Sequence, residues 1–62
     1  MNATDEVIAT VEGPDGTAQV VEVSSAGGKS PVYEARFKGT SEAFPSMGEA
    51  YITAKEKAGV KA

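Results

Sequence analysis

VYEARFKGTSEAFPSMGEAYITAKEKA, residues 32–58, decides the architecture of this chain, because within it one strongly patterned strand gives way to a helix with a marked start and stop. In VYEARFKG the side chains alternate, so Tyr33, Ala35 and Phe37 fall on one face and Glu34, Arg36 and Lys38 on the other. That two-residue period belongs to a strand with one dry and one wet face. After a break at Gly39-Thr40-Ser41, Ser46 and Glu49 have the S-x-x-E spacing of a capping box. The serine hydroxyl accepts the backbone N–H three residues on, and the glutamate reaches back to the serine N–H. The spacing predicts a helix over 47–58. Met47, Ala50, Tyr51, Ala54 and Ala58 make its apolar stripe, and Lys55, Glu56 and Lys57 face solvent. Gly59 supplies a left-handed stop, with Lys55, Lys57 and Lys61 near the negative end of the helix dipole.

Outward toward the amino terminus, residues 5–12 (DEVIATVE) are rich in β-branched side chains and read as a first strand, with Val7, Ala9 and Val11 on one face. Gly13-Pro14-Asp15-Gly16 has Pro, Asp and Gly where a tight turn wants them, so the chain returns as a second strand over 17–24. Residues 24–31 (SSAGGKSP) form a loop, and the third strand covers 31–38. The expected fold is therefore α+β: a three-stranded antiparallel meander with one carboxyl-terminal helix packed on one face, βββα, in a single domain. The expected core is Val7, Val11, Val21, Val23, Tyr33, Phe37, Phe44, Met47, Tyr51 and Ala54. The opposite, open face is expected to show Glu6, Ile8, Glu12, Val20, Glu22, Glu34, Arg36 and Lys38.

Composition excludes most chemistry. With no cysteine and no histidine among 62 residues, disulfides, zinc fingers, thiol nucleophiles and imidazole acid–base catalysis are ruled out within this chain. The serines have no histidine to activate them, and Glu34 opposite Glu6 or Glu22 on an open sheet would stay solvated. Gly28-Lys29-Ser30 lacks the preceding glycine of a phosphate-binding loop, since Val23 stands there, and Pro31 opposes a helix after the lysine. No metal, no cofactor and no catalytic residue is expected. No apolar run is long enough to cross a bilayer and the first residues do not read as a signal peptide, so a cytoplasmic location is expected.

Charge is unevenly placed. Residues 1–28 carry Asp5, Glu6, Glu12, Asp15 and Glu22 with no basic side chain, a net −5, whereas residues 29–62 sum to +2. Such a field repels phosphate and steers the chain toward a basic partner. Asp5, Glu6, Glu12, Asp15, Glu22 and Glu34 are accordingly the candidate partner-binding residues. Lys29, Arg36 and Lys38 are the alternative set, for DNA.

Three resemblances bear on the partner. From Tyr33 on, YEARFKG followed by FPSMGEA resembles the strand, turn and helix of three-stranded DNA-binding modules, the arm-binding domains of phage-type integrases and plant AP2-like domains. That resemblance implies insertion of the outer sheet face into the major groove, with Arg36 and Lys38 pointing there, although Glu6, Glu12, Glu22 and Glu34 stand where those families carry basic and aromatic residues. Glu49-Ala50 with Ala54 is similar to the helix of HicB-type antitoxins, which implies a protein partner. In its size, acidity and lack of catalytic residues the whole chain resembles the small anti-CRISPR inhibitors of phages. That implies a monomeric, non-catalytic inhibitor in the bacterial cytoplasm, whose carboxylates occupy a basic nucleic-acid-binding surface on a defence complex in place of phosphates.

Overall fold

In the computed structural model of the protein, which describes residues 4–24 and 30–60, four strands precede one helix. They are β1 (Thr4–Gly13), β2 (Gly16–Ser24), β3 (Val32–Phe37), β4 (Thr40–Phe44) and α1 (Met47–Ala58). The architecture is α+β with an antiparallel sheet and a carboxyl-terminal helix, but the sheet has four strands in the order β1-β2-β3-β4 instead of three. The extra strand is the stretch read as a break. Lys38 and Gly39 take positive φ values of 47° and 82°, the mirror-image turn that joins hairpin strands with two residues. Thr40–Phe44 then pairs back along β3, with Thr40 opposite Phe37 and Phe44 opposite Tyr33. The remaining expectations on residues 1–3, on the loop over 25–29 including Lys29, and on Lys61 lie outside the described residues.

The helix is held at both ends as its sequence dictates. Ser46, in extended backbone, caps the first turn by accepting the Glu49 N–H at 3.4 Å. Its hydroxyl donates to the Glu49 carboxylate at 3.3 Å, so the glutamate grips the serine hydroxyl instead of its N–H. At the other end Gly59 adopts φ 85°, which a side chain would oppose, and the Gly59 and Val60 N–H groups close onto Glu56 and Lys55 carbonyls.

Helix and sheet meet through small residues. Ala50, Ala54 and Ala58 are fully buried against Val11, Ala18, Val20 and Ala35, with Ala9, Tyr33, Phe37, Phe44 and Val60 packed around them. The approach is closest where Asp15 N–H donates to the Ala58 carbonyl at 2.8 Å, and a Cβ on Gly13 would collide with that carbonyl. Met47 and Tyr51, expected in this core, are 47% and 39% exposed. The alanine column brings the helix so near the sheet that the larger side chains of the stripe are left at its flank.

A β-bulge changes which side chains share a face. Val7 pairs with Val21 but Ala9 pairs with Val20, leaving Ile8 as the extra residue. Past the bulge Ala9 and Val11 face the helix; before it Asp5 and Val7 face away. Val7 is 51% exposed, not core. Val21 and Val23 also lie on the face away from the helix, whereas Val20, Glu22 and Glu6 lie on the helix side, the reverse of the expected assignment.

Candidate functional site

The open face of the sheet divides into two zones. Toward the two hairpin turns, Thr10, Gln19, Arg36 and Ser41 occupy one register row across all four strands, with Glu12 opposite Thr17 in the next row. Thr17, Gln19, Arg36, Lys38 and Ser41, with Glu34, line an open hollow of about 510 Å³ here. Toward the other end the face is apolar: Val7, Val21, Val23 and Val32 neighbour one another across β1, β2 and β3.

Arg36 ties the zones together. Its Nε donates to Glu34 at 2.8 Å and its Nη2 to Asp5 at 3.0 Å. Arg36 stands opposite Gln19 and Asp5 opposite Val23, so the side chain crosses β2 above Val21, which lies between them. Val21 is only 1% exposed although no helix covers this face. The arginine side chain, which reaches from β3 over this position to Asp5, is placed to shield it, as long charged side chains commonly do for apolar surface. Hydrogen bonds to Glu34 first and to Asp5 second raise the guanidinium's pKa above its already high ordinary value. The ion pairs are partly exposed and contribute at most about 1 kcal/mol each.

The acidic candidates do not converge on one patch. Asp5, Glu12 and Glu34 lie on the open face, the first and last bound to Arg36. Glu6 and Glu22 are directly opposed across β1 and β2 on the helix side, where Tyr33 Oη donates to Glu22 at 3.4 Å. Asp15 sits in the β1–β2 turn beside the helix end. What unites Asp5, Glu6, Glu12, Asp15 and Glu22 is the β1–β2 hairpin itself, which carries no basic side chain. Among the described residues Glu6, Glu12, Asp15 and Glu22 have no ion-pair partner, whereas Glu42 on β4 pairs with Lys57 on the helix at 3.8 Å. No group of three carboxylates among the described residues is placed to hold a metal ion.

Of the alternative basic set, Lys38 stands at the tip of the β3–β4 turn with its ammonium 5.1 Å from the Phe37 ring centroid. Lys29 lies outside the described residues. No protein family, curated protein or solved structure matches the chain. No helix of the described residues is long and apolar enough to cross a membrane. Reasoning from sequence missed Gln19, Thr10 and Ser41, which complete the polar row; the Lys38-Gly39 dipeptide was the signal that a further strand brings Ser41 there.

Proposed function

We propose that this chain is a non-catalytic protein-binding module whose acidic β1–β2 hairpin occupies a basic, nucleic-acid-binding surface on its partner. One observation carries the reading: Glu6 and Glu22 face each other across the hairpin with no cation between them among the described residues. Like charges in directly opposed sheet positions oppose folding. A lysine or arginine from a partner relieves that repulsion on binding, so the hairpin gains more from a basic surface than isolated carboxylates would. A bacterial defence complex that holds DNA or RNA is the partner class that the resemblance to anti-CRISPR inhibitors implies.

A second reading is favoured by the row Thr10, Gln19, Arg36 and Ser41. Gln and Arg are the residues that pair with adenine and guanine edges, and Gln19 and Arg36 are directly opposed on β2 and β3, a two-stranded ribbon of the kind a major groove about 12 Å wide admits. This DNA-reading use ranks second because Arg36 already spends Nε and Nη2 on Glu34 and Asp5. Phosphate contacts also need a cationic surface, and the chain carries a net −3.

The deciding experiment is capture from bacterial lysate by the tagged protein, at low and high salt, with and without nuclease. It is run beside a variant carrying Glu6→Lys, Glu12→Lys and Glu22→Lys, and a control carrying Glu42→Lys on β4 and Glu56→Lys on the helix. The expected result is a nucleic-acid-handling protein that survives nuclease, weakens with salt, is retained by the control and is lost with the hairpin variant. Capture unchanged by the hairpin variant refutes the reading. Recovery of DNA, abolished by nuclease and by Gln19→Ala with Ser41→Ala, installs the second one.

A further inference from the structure

β1 is one of the two edges of the sheet and, at ten residues against five in β4, the longer one. Its centre, Val7-Ile8-Ala9-Thr10-Val11, is uncharged, with Val7 51% and Ile8 37% exposed. Among the described residues this run makes backbone hydrogen bonds only to β2, so its outer row of N–H and C=O groups is unpaired by protein. Such an edge is a template for another strand. Two features restrain it: the bulge at Ile8, and carboxylates at both ends of the run, Asp5 and Glu6 before it and Glu12 after it.

Those carboxylates discriminate between occupants. When two copies pair antiparallel with their uncharged runs centred on each other, Glu12 of one copy falls opposite Glu6 of the next; in-register parallel pairing sets every carboxylate against itself. Both arrangements are repulsive. A segment with small or apolar residues through its middle and lysine or arginine at each end meets the uncharged run and both acidic ends at once. We propose that the free edge of β1 takes such a segment of its partner as a fifth strand, through main-chain hydrogen bonds flanked by charge pairs. The proposal rests on the acidic-hairpin reading above and specifies how that hairpin docks.

The test uses the whole chain and a labelled peptide, Lys-Lys-Val-Thr-Val-Thr-Val-Lys-Lys, alongside the same peptide N-methylated at its five central residues. Methylation removes strand-pairing N–H donors and leaves charge unchanged. Fluorescence anisotropy should show the methylated peptide binding at least about tenfold more weakly, the loss expected from a few unmade hydrogen bonds. The unmodified peptide should slow amide exchange along β1 and leave β4 unchanged. Equal binding of both peptides overturns strand addition while leaving the acidic-hairpin reading intact, since charge alone then accounts for attraction. No binding of either peptide up to about 1 mM also overturns it. The hairpin reading is then judged separately by the Glu6, Glu12 and Glu22 variant.

Discussion

The two faces of this sheet are sealed by opposite means. Under the helix, closure comes from what is missing: alanine and glycine side chains so short that backbones nearly touch, as at Gly13 and the Ala58 carbonyl. On the open face it comes from length, an arginine laid across β2 over Val21 and pinned at its far end by Asp5. The first kind of surface cannot yield without moving backbone, and the second can rearrange by rotating one side chain. An adaptable surface therefore sits on a rigid one.

The contrast breaks most readily from the helix side. Ala54 is fully buried, so Ala54→Leu must push helix and sheet apart. Overpacking of this kind costs about 3 kcal/mol. Since Val20 and Val21 are the largest fully buried side chains, little else is in reserve, and urea titration followed by circular dichroism should show most of the transition lost. An Ala54→Leu variant with an unchanged midpoint would mean that the closeness of the helix is not what holds it. On the open face the effect is smaller. Arg36→Ala should cost about 1 kcal/mol by the same titration, and Arg36→Met, which keeps the apolar stem over Val21, about half of that. Equal losses would assign the arginine's contribution to its ion pairs instead. The smallest effect has the opposite sign: Glu6→Gln should stabilise the protein by up to about 0.5 kcal/mol by relieving Glu22, while weakening capture of a basic partner.

The helix was legible from both of its ends, because a capping box and a stop glycine are local devices that need no knowledge of the rest of the chain. The first hairpin was legible for the same reason, in Gly13-Pro14-Asp15-Gly16. What escaped was governed by pairing. The bulge at Ile8 has no residue signature in IATV, yet it reverses the faces of Asp5, Glu6 and Val7 relative to Val11. β4 escaped because Thr-Ser-Glu-Ala-Phe lacks the alternation and β-branched density of β1, and two of its five residues, Glu42 and Ala43, are poor strand formers. The candidate site suffered accordingly. The charges on the β1–β2 hairpin were legible from composition, but whether Glu22 shares a face with Glu6 or with Glu34 depended on a register that single-strand patterns do not contain.

One short contact reaches beyond packing. The hydrogen bond from Asp15 N–H to the Ala58 carbonyl joins the first turn of the described chain to the last turn of its helix. During synthesis the turn leaves the ribosome well before the residue that completes it, so the hairpin emerges with that donor still bonded to water. That contact can close only once Ala58 is available, 43 residues after the turn. Until then the four strands and most of the helix are present but the bond that ties the first hairpin to the helix end is not, and that end of the helix is held least firmly.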